Sequence, residues 1–392
     1  MNRRLRVAWL GHKSYKLAGG MATYSHEVVA GLRELGLQVT FFHHGDRSGT
    51  EEDGDSVALA AVPLVKPLIH SPGRAKRKLV DRLRDREFDL VHASLWFSTI
   101  DFDLPKLIKE LAIPLVVTFH VAFDQRLSLW GGIMSGTYRL YAPTLAKCDR
   151  VIVFGTAQRD ILVRLGVPEP IIRVIPNGVD VDKFSPGRSD QRERFGADRL
   201  FVYMGRIDSE KNVGALLEAF TACEPPPRTR LVLLGTGTER RRLERQYRDP
   251  RIIFAGQVTE IEERIAILRA ADGFFLPSMV EGLSLSMLEA MACGVATVAT
   301  DVGTDGEALR GAGIVLDPSK LDEELRLAIR MLIEVPAISQ VLGRLARQRV
   351  LERYSLLSNI EQLVGVYEEV ATEARPEPVR SRRLASRARP TG

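Results

Sequence analysis

Two glutamates in the second half of the chain flank a turn that leads into a short apolar segment. Glu281 precedes a run of glycine, leucine and serine, and Glu289 lies eight positions later, shortly before Gly294. The segment predicts a short helix with Gly294 as its C′ residue. A helix N-terminus offers backbone amides and a positive dipole to a phosphate, and carboxylates accept hydrogen bonds from sugar hydroxyls. Together these groups predict a site for a sugar joined to a diphosphate.

Two apolar segments place this turn at the end of a strand. Residues 273–276 and 295–300 predict buried strands before and after the helix. Open α/β sheets bind ligands beyond the carboxyl ends of their strands, which favours a functional turn. A structural role stays open, because Ser286 and Glu289 have the spacing of a helix capping box and Glu281 also suits a surface loop.

A pair of cations follows another predicted strand, which ends at Met204. Arg206 and Lys211 would flank the same cleft as the Glu281 turn. Negative charge grows on a nucleoside diphosphate as the bond to its sugar breaks, and fixed cations stabilise that charge. The pair could serve such a leaving group, but the spacing alone leaves open two solvated surface cations.

In the first half, two adjacent glycines and a histidine follow predicted strands. Gly19 and Gly20 lie between the first strand and the first helix, where glycines let a ligand approach the backbone closely. His120 stands immediately after a strand, and His92, near the end of another, is a weaker candidate. Asp124 is a candidate contact for an acceptor. A plain turn and a structural histidine are the alternatives.

The order of these residues resembles the donor-site signature of glycosyltransferase family 4. The pattern Pro-x-x-x-Glu-Gly begins at Pro277, and Leu-Glu-Ala-Met-Ala-x-Gly ends at Gly294. A Gly-Arg-x-x-x-x-Lys pattern begins at Gly205. The resemblance covers residues 5 to about 370 and is strongest over 173–300. It implies the GT-B fold and a retaining transferase that uses a nucleoside-diphosphate sugar as co-substrate, of UDP or GDP type.

The resemblance also implies a role for each residue of the second half. Arg206 and Lys211 would hold the diphosphate, and Glu289 would bind the ribose hydroxyls. Glu281 would hold the donor sugar together with backbone amides of the turn that follows it, which is formed by Gly282, Leu283 and Ser284. One departure leaves the donor open: the family often has Phe-Gly-Leu where this chain has Leu-Ser-Leu at 283–285.

From the first half, the resemblance brings a histidine and a glycine pair into the site. His120 would contact the donor sugar, and Gly19 and Gly20 would lie near the donor phosphates and the acceptor. The predicted catalytic set is therefore His120, Arg206, Lys211 and Glu281.

Strands alternate with helices along most of the chain, which predicts an α/β protein with parallel, doubly wound sheets. We expect two Rossmann-like domains facing each other across a cleft. The predicted boundaries are 1–185 for the acceptor domain, 186–373 for the donor domain and 374–392 for a basic, disordered tail. In the family resembled, the last helices cross back to the first domain.

Composition limits the class of protein further. The chain has 392 residues, a formal net charge of +5 and 45% hydrophobic residues, which suits a two-domain globular protein. Its three cysteines are scattered, so we expect no disulfide framework and a reducing, cytoplasmic location. No apolar run approaches the length of a membrane-spanning helix. Arginine-rich, lysine-poor usage suits a bacterial source.

Several motifs argue against other chemistries. Gly235-x-Gly237 has Arg240 where a dinucleotide fingerprint needs its third glycine, which weakens an NAD interpretation. Asp101-x-Asp103 and Asp180-x-Asp182 have the spacing of a metal motif without its expected surroundings. We therefore predict no metal and no tightly bound cofactor. No nucleic-acid partner is predicted either, because a solvated end explains the basic tail.

The sequence leaves the acceptor open. A small soluble polyol or aminocyclitol, as in antibiotic biosynthesis, is favoured weakly over a phosphoinositol-type lipid or a polysaccharide. A sugar-nucleotide epimerase and a non-enzymic sugar-nucleotide sensor are the other classes considered. The basic stretch Arg74–Arg86 predicts a helix that could give weak peripheral contact with an anionic membrane. The oligomeric state is left open.

Overall fold

A computed structural model describes residues 4–12, 20–45, 52–53, 55–64, 69–85, 87–95, 98–123 and 129–374. Gly19, Asp124 and the tail beyond Ala374 lie outside these residues, so what the sequence predicts for them stays a prediction.

The first half of the chain forms a sheet flanked by helices. Its strands are β1 (Arg6–Gly11), β2 (Gln38–His44), β3 (Glu52–Asp53), β4 (Ser56–Leu59), β5 (Val62–Pro63), β6 (Ile69–His70), β7 (Leu90–Leu95), β8 (Leu115–Phe119), β9 (Arg150–Val153) and β10 (Ile172–Val174). Its helices are α1 (Gly20–Glu34), α2 (Gly73–Asp85), α3 (Leu104–Glu110), α4 (Leu129–Leu145) and α5 (Thr156–Arg164). The strand order is β10-β9-β8-β7-β1-β2-β4-β3, and β3 alone is antiparallel to its neighbour. β5 and β6 form a separate antiparallel pair.

The second half repeats this plan with a six-stranded parallel sheet. Its strands are β11 (Arg199–Met204), β12 (Thr229–Leu234), β13 (Ile252–Gly256), β14 (Gly273–Leu276), β15 (Ala296–Thr300) and β16 (Ile314–Leu316). Its helices are α6 (Gln191–Arg194), α7 (Val213–Ala222), α8 (Arg240–Gln246), α9 (Ile261–Ala270), α10 (Leu285–Ala292), α11 (Asp305–Leu309), α12 (Leu321–Glu334), α13 (Pro336–Arg353) and α14 (Leu356–Glu373). The two doubly wound parallel sheets confirm the predicted fold class.

The strand order of the second sheet locates its ligand-binding edge. The order is β13-β12-β11-β14-β15-β16, so the chain winds one way from β11 and the other way from β14. β11 and β14 are neighbours, and the loops that leave their carboxyl ends diverge at a topological switch point. Ligands of doubly wound sheets bind in that crevice. The loops at this crevice carry Arg206, Lys211 and Glu281.

The last helix, α14, packs against the first half. The Tyr367 hydroxyl lies 2.7 Å from His92 Nδ1 in β7. At the outer end, Arg150 Nη2 donates to Glu369 at 2.7 Å and to Glu373 at 2.6 Å. These contacts tie the end of the chain to the first sheet, so the two halves are joined at a second place besides the connection after β10.

The contacts of His92 give it a structural role. Its ring stacks on Trp9 with centroids 4.0 Å apart, and its Nε2 lies 2.9 Å from Thr118 Oγ1. Burial lowers the pKa of His92 well below its usual value, and His120 lowers it further. A fully buried imidazole with both nitrogens engaged is not available to a substrate.

Two glycines permit close contact between the loops that follow β11 and β12. A Cβ at Gly235 would lie 1.9 Å from Gly205 O, and one at Gly237 would lie 2.3 Å from Ile207 O. Across this contact, the Ile207 amide donates to Thr236 O. The spacing of the two glycines therefore has an explanation in the packing of these loops.

Replacing Gly235 with alanine is expected to destabilise the second half. Gly235 has a φ of +149°, which residues with a side chain rarely adopt. The added Cβ would also overlap the backbone of Gly205. We expect a loss of more than about 1 kcal/mol in the free energy of unfolding, measured by urea denaturation. Gly365 in α14 is the matched control, because no atom lies within 4 Å of its added Cβ. A Gly235→Ala variant that unfolds at the wild-type midpoint would contradict this.

Candidate functional site

Lys211 and Glu281 meet at the switch point of the second sheet. Lys211 Nζ donates to Glu281 Oε1 at 2.6 Å, and Ser278 Oγ donates to the same oxygen at 2.8 Å. Both charged side chains are largely buried, at 15% and 12% exposure. Although the two residues are 70 positions apart, the loops after β11 and β14 place them in contact. The site thus holds a cation and a carboxylate side by side.

Arg206 lies at the more exposed rim of the same loop. Its guanidinium pairs with Asp208 and, at 2.6 Å, with Glu210 Oε1. Burial alone would raise the pKa of Asp208, but hydrogen bonds from Thr238 and the charge of Arg206 outweigh it and lower that pKa. Asp208 and Glu210 were not singled out from the sequence, although both stand within the same Gly-Arg-x-x-x-x-Lys segment.

The Glu281 loop, residues 281–284, ends at the N-terminus of α10. Ser284 is the N-cap, and its Oγ accepts a hydrogen bond from the Met287 amide at 3.4 Å. The capping box considered for Ser286 and Glu289 is therefore wrong, because the helix begins at Leu285 and encloses Ser286. The predicted helix end is confirmed: α10 stops before Gly294, whose φ is +75°.

A segment after β15 supports the Glu281 loop from behind. The Thr304 amide and hydroxyl both donate to Gly282 O, at 2.7 and 2.6 Å. The Ser284 amide donates to Asp305 Oδ1 at 2.8 Å. The Ser284 amide, which the resemblance offered to the donor sugar, is therefore engaged within the protein. Neither Thr304 nor Asp305 was predicted from the sequence, although the polar Gly-Thr-Asp run that begins at Gly303 follows a predicted strand.

The first half of the chain faces the Glu281 loop. An added Cβ at Gly282 would lie 3.8 Å from His120 O, so His120 and this loop are neighbours. Asn177 Nδ2 donates to Leu283 O at 3.0 Å. These contacts bring the carboxyl end of β8 against the switch point of the second sheet, as a site shared by both halves requires.

Gly20 meets the same region from helix α1. It is the first residue of α1, and a Cβ added there would lie 3.8 Å from Leu285 Cδ1, at the start of α10. The N-termini of two helices thus approach each other across the cleft. The positive dipole end of a helix N-terminus favours a nearby anion.

His120 is held as a neutral imidazole. Its Nε2 lies 2.6 Å from Ser94 Oγ, and its ring meets the rings of Tyr24 and Phe154 with centroids 4.8 and 5.0 Å away. Burial, with a contribution from His12, lowers the pKa of His120 to about 3. The side chain therefore carries no positive charge at neutral pH.

Glu289 lies deeper, on α10. The side chain is buried, and its Oε2 is 3.7 Å from Arg264 Nη1. Burial raises the pKa of Glu289 to about 7, Arg264 opposes that shift, and Glu27 of the first half adds to it. Of the four charged residues predicted to share one donor, Lys211 and Glu281 are in direct contact, whereas Arg206 and Glu289 pair with other residues.

The elevated pKa of Glu289 predicts a pH dependence. If its carboxylate accepts ribose hydroxyls, donor binding should strengthen as pH rises through about 7 and the group ionises, because a charged acceptor makes the stronger hydrogen bonds. We expect the donor KM to fall between pH 6 and 8 in wild-type enzyme and to lose this dependence in Glu289→Gln.

The matched control is Glu27, whose pKa burial also raises to about 7. Because Glu27 raises the pKa of Glu289, the Glu27→Gln variant should keep the pH dependence but move its midpoint to lower pH. A donor KM that is flat with pH in wild-type enzyme, or a dependence that survives in Glu289→Gln, would exclude this role.

A small cavity lies at the carboxyl edge of the first sheet. Its volume is about 20 Å³, and its lining includes His12, His44, Ser94 and Asp101. Burial lowers the pKa of His12 to about 4 and that of His44 to about 3. His44 Nε2 lies 3.2 Å from Ser98 Oγ. The polar groups of this mainly apolar lining therefore include uncharged imidazoles, the Ser94 hydroxyl and the Asp101 carboxyl group.

Asp101 is held at this edge by hydrogen bonds. Its Oδ2 accepts from the Ser98 amide at 3.1 Å and from the Tyr141 hydroxyl at 2.8 Å. Asp103 pairs with Lys76 on α2. The two carboxylates of this Asp-x-Asp sequence thus have separate structural partners. Within the described ranges, no group of three or more His, Cys, Asp or Glu residues has the geometry to hold a metal ion.

None of the helices described here combines the length and apolar character needed to cross a bilayer. Residues 74–85 of the basic stretch considered for membrane contact lie in α2, as the sequence predicts, whereas Arg86 lies outside the described residues.

Comparison with known proteins identifies similar sequences in both halves. The family model Glycosyltransferase Family 4 matches residues 18–183, and Glycosyl transferases group 1 matches residues 198–334. The chain is 30% identical over 295 residues to glycogen synthase of Mycobacterium tuberculosis, covering 72% of this chain and 69% of that protein. It is 28% identical over 400 residues to the D-inositol 3-phosphate glycosyltransferase of Saccharomonospora viridis, covering 90% of each.

Solved structures share the fold. Anabaena HepE in complex with UDP-glucose superimposes with a TM-score of 0.75 at 17% identity, covering 93% of this chain and 100% of HepE. The likeness extends over both sheets, so the two halves and the cleft between them follow a known arrangement.

Proposed function

The chain belongs to glycosyltransferase family 4, and on that basis we propose that it transfers a sugar, with retention, from a nucleoside diphosphate to a hydroxyl of a small neutral polyol. The enzyme has the GT-B fold and is a transferase. The identities of the donor and the acceptor are proposed from the contacts of the site.

One observation carries the proposal: the buried Lys211–Glu281 pair lies at the switch point of the second sheet, in a loop that contacts the carboxyl end of β8 at His120. A cation there can face the diphosphate while the carboxylate faces sugar hydroxyls. The remaining contacts support a donor that spans both halves of the chain.

The chemistry follows from these positions. The bond between the anomeric carbon and the diphosphate oxygen breaks, and its electron pair stays on that oxygen. Lys211 stabilises the charge as it grows, and the half-exposed Arg206 does so from the rim. The acceptor oxygen bonds to the anomeric carbon on the same face, and its proton passes to the departing diphosphate oxygen.

The other residues orient the donor. Glu281 accepts hydrogen bonds from its sugar, beside the backbone of Gly282 and Leu283, while the Ser284 amide stays bonded to Asp305. His120 contacts the sugar as a neutral imidazole, Glu289 binds the ribose, and Gly20 lets the N-terminus of α1 approach the phosphates. We propose a uridine diphosphate donor, because the similar fold of HepE is known with UDP-glucose. A guanosine diphosphate donor is the alternative outcome.

The carboxyl edge of the first sheet, where we place the acceptor, favours a neutral molecule. Among the described residues that line the cavity near His44, none is lysine or arginine, and His12 and His44 are neutral at physiological pH because burial lowers their pKa values. A phosphate monoester needs cationic or multiple amide donors. Hydroxyls and imidazoles instead match a polyol or aminocyclitol, as an intermediate of natural-product assembly would present.

A paired assay tests this proposal. The purified enzyme is given UDP-glucose or GDP-mannose, with myo-inositol or myo-inositol phosphate as acceptor. We expect transfer to the neutral polyol to exceed transfer to its phosphate, with the α-configuration of the donor kept in the product. Preference for the phosphate would overturn the acceptor assignment. Conversion of the donor without any acceptor would indicate an epimerase and overturn the reaction.

The lipid alternative has its own test. If the acceptor were an anionic lipid, the basic helix α2 would hold the enzyme at a membrane surface. We expect no sedimentation with vesicles containing phosphatidylinositol at low salt. Pelleting that is lost when Arg77 and Arg84, both exposed on α2, are changed to glutamine would favour the lipid acceptor.

A further inference from the structure

Asp305 is a buried carboxyl group directly behind the Glu281 loop. It is the first residue of α11 and is fully buried. Its Oδ1 accepts the Ser284 amide at 2.8 Å, whereas its buried Oδ2 has no hydrogen-bond partner among the described residues. The proposed chemistry does not use Asp305, so its presence there needs a separate explanation.

The surroundings of Asp305 disfavour its charged form. Burial raises its pKa well above the usual value, and the Glu281 carboxylate raises it further, while the Ser284 amide and Lys211 act in the opposite direction. A buried carboxylate with one oxygen unpaired is costly, so the proton is retained. Tyr354 is another titratable group near Asp305. On the same segment, Asp301 accepts a hydrogen bond from Arg310, and Glu307 accepts one from Thr156.

The segment around Asp305 fixes the position of the Glu281 loop. Thr304 donates twice to Gly282 O, and an added Cβ at Gly303 would lie 2.1 Å from Glu281 O. With the Ser284 bond to Asp305, the loop is therefore held at successive positions by one short stretch of chain. The packing between the two segments leaves no room for a side chain at position 303.

The same segment also reaches the first half. Glu307 Oε2 accepts the Thr156 amide at 3.1 Å and the Thr156 hydroxyl at 3.0 Å. A Cβ added at Gly155 would lie 1.8 Å from Thr304 Cγ2. Residues 303–307 are therefore in contact with the Glu281 loop on one side and with the N-terminus of α5 on the other.

We propose that Asp305, as a neutral acid, is a positioning residue for donor binding: it holds the Ser284 amide and limits the negative charge beside the diphosphate to the carboxylate of Glu281. This inference rests on the proposed function. If Asp305 ionised, a second carboxylate besides that of Glu281 would lie near the diphosphate, and the added negative charge would weaken donor binding. Neutral Asp305 keeps the loop in place without that repulsion.

Two variants separate this role from a purely structural one. Asp305→Asn keeps the acceptor oxygen and mimics the neutral acid, so its affinity for UDP should stay within about threefold of wild type. Asp305→Ala removes the carboxyl oxygen that accepts the Ser284 amide, so the Glu281 loop loses this hydrogen bond. We expect about tenfold weaker UDP binding. Calorimetric titration of UDP measures both, and thermal melting checks that each variant is folded.

The pH profile provides the second readout. In wild-type enzyme, UDP binding should weaken at alkaline pH as Asp305 loses its proton, and Asp305→Asn should lose less affinity over the same range. Equal UDP affinities for wild type, Asp305→Ala and Asp305→Asn at every pH would overturn the inference. If Asp305→Ala does not fold, an Asp305→Asn profile identical to wild type has the same consequence. Failure of wild-type enzyme to bind UDP or GDP would instead overturn the proposed function itself.

Discussion

Replacing Lys211 with alanine is expected to lower kcat by about 10²–10³-fold, the usual effect of removing one fixed donor from a developing negative charge. Lys211 is the cation that the fold places in the interior of the cleft, at 15% exposure and in contact with Glu281. Low exposure strengthens its interaction with a diphosphate, because less water screens the charge. The measurement is the initial rate at which the nucleoside diphosphate is released, with the donor at a saturating concentration.

The matched control is Lys320→Ala, because Lys320 is an exposed lysine of the same half. It should turn over at the wild-type rate. Arg206→Ala is expected to lose at least about tenfold, and less than Lys211→Ala, because Arg206 is 56% exposed and shared with Asp208 and Glu210. Near-normal turnover of both the Lys211 and Arg206 variants, with folded protein, would end the assignment of a diphosphate clamp.

Replacing Glu281 with glutamine is expected to lower kcat/KM by about 10²-fold. The carboxylate accepts hydrogen bonds from both Lys211 and Ser278, so it orients the cation as well as the donor sugar. Glutamine keeps the shape but removes the charge and one acceptor oxygen. Steady-state kinetics with varied donor measure the loss, and Glu263→Gln, an exposed site on α9, is the control.

The two large effects should not add. Lys211 and Glu281 are in direct contact at 2.6 Å, so the double variant Lys211→Ala/Glu281→Gln should lose less than the product of the single losses. Strict additivity would mean that the two side chains act on the donor independently, and it would remove the argument that one pair positions the diphosphate and the sugar together.

Much of the fold was predictable because its signals are local. The apolar runs that predict β11, β14 and β15 coincide with the observed strands, since a parallel sheet covered on both faces buries continuous runs of apolar residues. The same logic placed the loops after β11 and β14 at one edge of a sheet. The proximity of Lys211 to Glu281 followed from that placement and from the family pattern.

The supports of the site could not be predicted in this way. Asp305 and Ser284 are 21 positions apart, and their contact depends on how the loop after β15 folds behind the Glu281 loop. The wrong prediction of a capping box at Ser286 and Glu289 had a similar origin. Ser284 and Ser286 both suit an N-cap by residue type, and only the observed start of α10 decides between them.

The histidines illustrate the same limit. Both His92 and His120 were assigned to strand ends from the sequence. The assignment of His92 was wrong, because it lies inside β7, which continues to Leu95. Their surroundings differ in the folded chain. Tyr367 of α14 forms a hydrogen bond with His92, whereas the Glu281 loop lies beside His120. Both partners are distant in sequence, so the distinction became visible only in three dimensions.

Calorimetric titration of UDP and GDP into the wild-type protein and its Lys211→Ala variant tests most directly whether a nucleoside diphosphate occupies the cleft. We predict that one of the two diphosphates binds wild type at a single site, and that Lys211→Ala weakens that binding by at least about tenfold while Lys320→Ala leaves it unchanged. Binding of neither diphosphate to folded wild-type protein, or equal binding to wild type and Lys211→Ala, would contradict the account.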